Sequence, residues 1–246
     1  MAIGFAHSRL IARLRAIAAL NDADADLIAS LPITLRNVED GYDIAKDGEI
    51  IDQCCLLVDG YLFRHKFAPL GKRQIVSWHV PGDVPDLYSL HLLPLDHNIT
   101  ALGQAVVGFI PHQILREVLS RSPSLTAILW RETLVDASIF RELVVNLGKR
   151  EAMARIAHML CELLIRLRVV GLAKNDAFTF SASQIHVADA VGITPVHANR
   201  MIQQLRNRGL VQWDGSEIAI LNLDELTRIA KFDDRYLHHR QVGNHK

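Results

Sequence analysis

One segment, residues 181–209, constrains the fold most, because its caps, apolar residues and glycines have the spacing of two short helices joined by a tight turn. Ser181 and Gln184 have the spacing of a capping box, which predicts the start of the first helix. Gly192 predicts its end, because glycine adopts a left-handed conformation without strain. Three apolar residues at helical spacing predict the buried face of this helix: Ile185, Ala188 and Val191.

The second helix is predicted over 195–208, because Thr194 can cap it and Pro195 suits its first position. Four apolar residues at i, i+3, i+4 and i+7 predict its inward face: Ala198, Met201, Ile202 and Leu205. The same geometry leaves four residues on the outward face: Val196, Asn199, Arg200 and Gln203. Asparagine, glutamine and arginine are side chains that pair bidentately with base edges in the DNA major groove.

A hairpin is predicted after the second helix, which ends at Gly209. The short strands 210–213 and 216–220 flank Asp214-Gly215, a dipeptide typical of tight hairpin turns. Two helices followed by a hairpin predict a winged helix that enters a DNA major groove. Two helices with a glycine turn also occur as plain packing units, but the agreement of caps, turn, core face and wing favours DNA binding.

The first half of the chain has a different pattern. Two helices are predicted over 6–20 and 22–31. From Ile33 to Ile110, short apolar or alternating runs are separated by turn residues such as Asp47-Gly48 and Pro81-Gly82. Strands at this spacing predict a compact antiparallel sandwich or barrel.

A long helix is predicted over 123–147, which at 1.5 Å per residue is roughly 37 Å long. An apolar stripe on this helix predicts the seam of a parallel dimer: Leu125, Leu129, Val135, Ile139 and Leu143. Glu132 interrupts that stripe. Gly148 predicts a hinge over 146–151, since glycine lowers the cost of bending. Another helix is predicted over 151–170.

The net charge of zero hides an asymmetry between the two halves of the chain. Residues 1–145 hold 13 basic and 17 acidic residues, whereas residues 146–246 hold 14 basic and 10 acidic residues. This split is typical of a sensor joined to a module that faces phosphates. Because the excess of positive charge is small, we expect DNA affinity to depend on a dimer that engages two half-sites.

The three cysteines, Cys54, Cys55 and Cys161, include no C-x-x-C pair and predict buried thiols in a reducing compartment. Adjacent side chains on a strand face opposite sides, so one of Cys54 and Cys55 is expected to be buried, and a redox role for the pair stays open. The N-terminus is amphipathic, unlike a signal peptide, and no run approaches the roughly 20 apolar residues of a membrane span. We therefore expect a cytoplasmic protein without membrane contact.

These elements, in this order, resemble the Crp/Fnr superfamily of bacterial transcription regulators over residues 30–230. The matching strings are D-G-E-I-I-D-Q-C-C-L-L-V-D-G (47–60), P-G-D (81–83), R-E-A-M-A-R-I-A (150–157) and the helix-turn-helix itself. The resemblance implies an α+β fold with a cyclic-nucleotide-binding-like antiparallel β-roll (jelly roll), a long dimerisation helix and a C-terminal winged helix-turn-helix. It implies a sensor domain at 1–122, the long helix and hinge at 123–148, and the DNA-binding domain at 149–246.

The resemblance also implies a homodimer on an imperfect palindrome, with one recognition helix in each of two successive major grooves. The family's recognition helix commonly carries Arg-Glu near its start and another arginine five positions beyond the first. Here Pro195-Val196 replaces the pair, which implies a different half-site, whereas Arg200 matches the later arginine and is the main candidate for a contact to guanine. Further candidate base contacts are Asn199, Gln203 and, for a thymine methyl, Val196; the family's phosphate contacts match Thr194, His197 and Gln184.

Cyclic-nucleotide binders of the family have Gly-Glu for the ribose and, further along the chain, Arg-Ser or Arg-Ala for the phosphate. In this chain Pro85-Asp86 stands at the first position and Asn98 near the second. A buried phosphate would lack its cation and would meet Asp86, which argues against cyclic AMP as the effector. Iron–sulfur sensing requires about four cysteines, several of them near the N-terminus, and none precedes Cys54 here.

Haem sensing requires an axial histidine, and four histidines lie in or near the predicted β-roll: His79, His91, His97 and His112. Scattered histidines are more often turn or surface residues, so we predict no metal site and no cofactor, and no cofactor-binding residue is identified. The effector is expected to be an unidentified small molecule or to be absent. The expected partners are palindromic double-stranded DNA and a second copy of the chain, with RNA polymerase as a further candidate.

An enzyme is not favoured, because the sequence has no G-x-S-x-G, no phosphate-binding P-loop, no paired Cys/His cluster and no H-E-x-x-H. One alternative stays open. The chain could be a β-roll protein that binds a ligand or metal and uses its winged helix to contact another protein. The salt dependence of binding distinguishes the two, since DNA complexes weaken steeply with salt.

Overall fold

The computed structural model of this chain describes residues 3–240, which form two compact units. The described part of the first unit comprises residues 3–62, 79–139 and 235–240, and the second comprises 63–78 and 140–234. The outermost residues of the predicted domains 1–122 and 149–246 lie outside the described range. No helix within residues 3–240 is both long and apolar enough to cross a membrane.

The first unit combines helices with an antiparallel sheet, as the resemblance implies. The helices are α1 (Ile3–Ile17), α2 (Asp22–Ala29) and α3 (His112–Arg121), and the strands are β1 (Thr34–Val38), β2 (Asp43–Ala45), β3 (Gln53–Phe67), β4 (Arg73–His79) and β5 (Asn98–Pro111). The sheet order is β1-β5-β3-β4, and β2 also pairs with β5. Both β1 and β2 run antiparallel to β5. β3 and β4 are joined through residues 68–72 and form a hairpin. Residues 63–78 of this hairpin belong to the second unit.

Strand β3 is buried on both faces. Every residue from Cys54 to Val58 is 0% exposed. Alternate side chains enter separate clusters, so Cys54 packs with residues of α1 and α2, whereas Cys55 packs with residues of β1 and β5. Both adjacent cysteines are therefore buried, not just one of them. Burial raises the pKa of both thiols, which keeps them protonated and unreactive near neutral pH.

The long helix α4 spans Pro123–Lys149 and continues past its predicted end. Its predicted stripe is buried within the chain: Leu125, Leu129, Val135 and Ile139 are at most 7% exposed, and Leu143 is half-buried. The assignment of this stripe to a dimer seam is therefore wrong, because an apolar stripe on a helix marks a core face as readily as a seam. A second apolar set on α4 is exposed instead: Trp130, Leu134, Phe140, Val144 and Val145.

Glu132 interrupts the buried stripe because it belongs to a buried ion cluster. Arg13 Nε donates to Glu132 Oε1 at 3.0 Å and lies 3.2 Å from Asp83 Oδ1 in the P-G-D turn. The three side chains are at most 10% exposed. Burial raises the pKa of Glu132, although the Arg13 guanidinium opposes this. The cluster joins α1, the turn and α4 within one unit. Removal of any one partner would leave a buried charge unpaired, which is strongly destabilising.

The second unit contains the predicted C-terminal helices and a small sheet. Its elements are α5 (Ala152–Val169), β6 (Ala177–Thr179), α6 (Gln184–Val191), α7 (Pro195–Asn207), β7 (Val211–Asp214), β8 (Glu217–Ile220) and α8 (Leu223–Ala230). The strands pair antiparallel in the order β6-β8-β7. Neither β6 nor α8 is among the predicted elements. β6 has only three residues, too few to show alternation, whereas α8 carries helix signals in the sequence, with Asn222 as its cap and apolar residues at 223, 226 and 230.

Candidate nucleic-acid interface

Helix α6 begins at Gln184, with Ser183 rather than the predicted Ser181 as its N-cap. Ser183 Oγ accepts a hydrogen bond from His186 N at 3.3 Å, and His186 Nδ1 accepts one from Ser183 N at 3.3 Å. A histidine thus takes the place that glutamate or glutamine holds in a capping box, which is why the Ser181 spacing was misleading. Ile185 is 56% exposed rather than buried, because the buried face of α6 is formed by Val187, Ala188, Ala190 and Val191 and Ile185 lies on the other side of the helix.

The turn between α6 and α7 has the predicted geometry. Gly192 has a φ of 67°, in the left-handed region that favours glycine. Thr194 is the N-cap of α7, and its Oγ1 accepts a hydrogen bond from His197 N at 3.3 Å. Pro195 occupies the first helical position, where no backbone donor is required. The predicted helix-turn-helix is confirmed.

Helix α7 has one buried and one exposed face. The predicted inward residues Ala198, Met201, Ile202 and Leu205 are at most 8% exposed. Of the predicted DNA contacts, Val196 is 82% exposed, Arg200, Gln203, Thr194 and Gln184 are also exposed, and Asn199 and His197 are half-buried. Gln204 and Asn207 extend the exposed face and are missing from the predicted contacts, although their spacing of four and seven residues from Arg200 points to them.

Strands β7 and β8 form the predicted hairpin, with Val211 paired to Ile220 and Asp214 paired to Glu217. The turn is closed at Gly215, which has a φ of 55° and accepts a hydrogen bond on its carbonyl from Trp213 Nε1 at 3.2 Å. α6, α7 and this hairpin together make a winged helix. Its second helix presents amide and guanidinium groups to solvent, which suits contact with base edges.

The predicted hinge segment 146–151 contains the break between α4 and α5, which falls after Lys149. Arg150 Nη2 donates to Glu142 Oε1 at 2.6 Å, and Arg150 Nε donates to Ala230 O at 3.0 Å. These partners are 8 and 80 residues away along the chain, so no local pattern reveals them. Arg150 therefore joins the end of α4 to the end of α8 within the second unit.

Acid is expected to destabilise the second unit through His158, which is 2% exposed. Burial, and to a lesser extent the nearby Arg150, lowers the pKa of His158 from 6.5 to about 3. Glu142 Oε1 lies 3.3 Å from His158 Nε2 but is already paired with Arg150, so it does not offset burial. Below pH 6.5 the unfolded chain takes up a proton that the folded chain refuses. The free energy of unfolding should therefore fall as pH drops from 6.5 toward 3, by at most about 1.4 kcal/mol per pH unit.

Urea titrations between neutral and acidic pH would measure this effect, with His158→Gln as the comparison. The variant lacks the titrating group, so its free energy of unfolding should decline less over the same pH range. Parallel curves for the two proteins would contradict the assignment to His158.

Asp86 and Asn98, which stand where cyclic-nucleotide binders of the family hold the ribose and the phosphate, form hydrogen bonds within the first unit. Asp86 is 1% exposed, and its two carboxylate oxygens accept hydrogen bonds from Cys55 N at 2.8 and 3.0 Å. Asn98 Oδ1 accepts a hydrogen bond from Asp47 N at 3.3 Å. Asp86 thus fixes a backbone donor of β3 and brings negative charge, which does not suit a phosphate.

Two buried histidines of the β-roll, His97 and His112, have protein partners. His97 Nδ1 lies 2.8 Å from Asp96 Oδ1, and His97 Nε2 lies 3.1 Å from Tyr88 Oη. His112 Nε2 lies 2.9 Å from Ser89 Oγ. Among residues 3–240, no three His, Cys, Asp or Glu side chains are grouped closely enough to hold a metal ion.

Comparison with known proteins gives concordant results for sequence and fold. Residues 154–229 match the family model of the Crp-like helix-turn-helix domain. Over 211 residues the chain is 24% identical to the transcriptional activator protein Anr of Pseudomonas protegens, covering 86% of each protein. It is 23% identical to electron transport regulator A of Shewanella oneidensis, covering 86% of this chain and 84% of that protein. The structure of FixK2 from Bradyrhizobium japonicum is similar with a TM-score of 0.73 at 23% identity, covering 81% of this chain and 98% of that one.

Proposed function

Because this chain belongs to the Crp/Fnr superfamily of transcription regulators, we propose that it recognises a two-fold symmetric DNA site as a homodimer. It is a DNA-binding regulator and not an enzyme. The observation that carries the proposal is the helix-turn-helix, in which a capped α7 presents an exposed polar face. In this motif the N-terminal residues of the second helix contact base edges while the first helix crosses the DNA backbone.

Arg200 is the proposed contact to guanine, because it lies exposed in the second turn of α7 and its guanidinium fork matches the two acceptors of guanine. Val196, one turn earlier on the same face, is the proposed contact to a thymine methyl. Asn199 and Gln203 are proposed to read further bases. Three residues near helix N-termini, where backbone N–H groups favour anions, are the proposed phosphate contacts: Thr194, His197 and Gln184.

The homodimer is proposed to form along the exposed apolar set of α4, which we call the seam stripe: Trp130, Leu134, Phe140, Val144 and Val145. Positions 130, 134, 137, 141 and 144 alternate in steps of four and three residues, which is the spacing of a coiled-coil seam. Trp130, Leu134 and Val144 occupy three of these positions, Ala137 and Arg141 occupy the other two, and Phe140 and Val145 flank the register. The members of the seam stripe are 46–67% exposed in the single chain. An apolar row of this length on one helix is typical of an interaction surface.

The β-roll is proposed to control DNA binding through an effector other than cyclic AMP, or without an effector. Support comes from Asp86 and Asn98, which are hydrogen-bonded within the fold at the positions where a ribose and a phosphate would need partners. Control is proposed to act by rotation of the winged helix about 146–151. For this mechanism the chain is proposed to divide into a sensor domain at 1–122, the long helix and hinge at 123–148, and the DNA-binding domain at 149–246. The proposed location is the cytoplasm, with RNA polymerase as a further partner.

Selection of bound duplexes from random DNA tests this function. The wild-type protein should enrich a two-fold symmetric motif, and Arg200→Ala should enrich the same motif with one base pair per half-site no longer specified. Loss of a bidentate base contact costs about 1–3 kcal/mol and relaxes specificity at one position. Arg206→Ala is the matched control, because it removes the same chemistry from the last turn of α7 and should leave the motif intact.

Two outcomes would contradict the proposal at different points. If the wild-type protein enriches no motif even at low salt, DNA recognition is wrong. If Arg200→Ala enriches the full motif, the base contact is wrong. The affinity for the selected duplex should also fall steeply with salt, because bound cationic side chains release counterions from DNA. Binding that is insensitive to salt would favour a winged helix that contacts a protein instead.

A further inference from the structure

The hairpin arm, which we define as residues 63–78, belongs to the same compact unit as the winged helix. It comprises the end of β3, the connection and most of β4. Its side chains contact helix α6 at both ends of that helix. Helix α6 has only eight residues, and a helix of this length is not stable by itself, so its orientation depends on what packs against it.

At the C-terminal end of α6, two side chains of the hairpin arm bind the last turn. Arg73 Nε donates to Asp189 Oδ2 at 2.8 Å, with the two side chains 25% and 22% exposed. Gln74 Nε2 donates to Asp189 O at 2.6 Å and to Ala190 O at 3.3 Å. The last carbonyls of a helix have no intrahelical donor, so the hairpin arm supplies the missing hydrogen bonds immediately before the turn at Gly192.

At the N-terminal end of α6, the contacts are aromatic. The Phe63 ring lies 5.6 Å from the His186 ring, and Trp78 packs edge-on against Phe180 at 5.1 Å. Phe180, just before the cap of α6, is 0% exposed. The Arg73 guanidinium stacks over the Phe63 ring at 5.3 Å, so the polar and aromatic contacts support each other.

We propose that the hairpin arm positions α6, and with it the turn and recognition helix α7, so that Arg73 and Gln74 are positioning residues for DNA binding. The inference rests on the proposed function, since it assumes that α7 reads DNA. Neither side chain needs to touch DNA for this role. Each acts through the orientation of α6, and β3 and β4 connect the hairpin arm covalently to the sheet of the β-roll.

A double-mutant cycle between Arg73 and Asp189 tests the inference in the full-length protein. Arg73→Ala, Asp189→Ala and the double variant are compared with wild type for affinity to the selected duplex and for thermal midpoint. Each single variant should weaken DNA affinity about five-fold, and the double variant should be no weaker than either, as expected for one partly exposed ion pair. Lys72→Ala, the exposed neighbouring cation of the hairpin arm, is the matched control and should bind like wild type.

Three results would overturn the inference. In the first, Arg73→Ala and Asp189→Ala weaken DNA affinity independently, so that the double variant shows the product of the two losses, and only their effects on the thermal midpoint are non-additive. That result would mean that the pair only stabilises the fold. An equal loss of affinity in Lys72→Ala would mean a general charge effect. A wild-type protein that enriches no duplex would overturn both the inference and the proposed function, whereas either of the first two results, obtained with a wild-type protein that binds its duplex, would overturn the inference alone.

Discussion

Replacing both Leu134 and Val144 by glutamate is expected to give a folded monomer whose affinity for the selected palindrome falls about 100-fold or more. The two side chains are 55% and 57% exposed, so glutamate at these positions does not enter the core of the chain. In a parallel dimer the four new carboxylates would face one another across the seam, where like charges repel. The loss is large because a monomer engages one half-site and forfeits the second, linked binding event.

Light scattering gives the mass of the double variant, and fluorescence anisotropy with the selected duplex gives its affinity. Ile50→Glu is the matched control, because Ile50 is an aliphatic residue that is 76% exposed and lies outside the seam stripe. The control should keep the mass and the affinity of the wild-type protein. A double variant that remains dimeric and binds normally would show that the seam stripe is not the dimer interface.

The helix-turn-helix could be predicted from the sequence because its geometry depends on local backbone chemistry. Gly192 fits a left-handed position, and Thr194 and Pro195 begin α7 through hydrogen bonds and dihedral angles of their own neighbourhood. The predicted start of α6 at Ser181 is wrong, because His186 has the role in the capping box that glutamate or glutamine usually has. Local chemistry thus predicts an element well when the residue types are the common ones.

The use of the long helix could not be predicted in the same way. Apolar residues lie on two sides of α4, and only the tertiary fold determines that the stripe with Leu125 and Leu129 packs in the core. Glu132 interrupts that stripe because its partner Arg13 lies 119 residues earlier. Arg73 and Asp189 are likewise 116 residues apart. No periodicity connects such pairs, so ion pairs between distant segments appear only once the fold is known.

Gly60→Ala and Gly48→Ala are expected to separate backbone strain from steric overlap in the β-roll. The two glycines have nearly the same φ, +83° and +84°, so alanine should cost about 1 kcal/mol at either position from conformation alone. At Gly48 no atom lies within 4 Å of the added Cβ, whereas at Gly60 that Cβ would lie 2.5 Å from Gln104 O and 2.9 Å from Ala105 Cα. These neighbours are backbone atoms of β5, which cannot rotate away.

We therefore expect Gly48→Ala to lower the free energy of unfolding by about 1 kcal/mol and Gly60→Ala by about 3 kcal/mol or more, since overlap adds to strain. Thermal unfolding followed by circular dichroism would rank the two variants against wild type. Because the conformational cost is the same, the difference between them measures how rigidly β3 and β5 are held together at this point. Equal destabilisation by the two variants would mean that the two strands separate at little cost, and that Gly60 is required for its left-handed conformation alone.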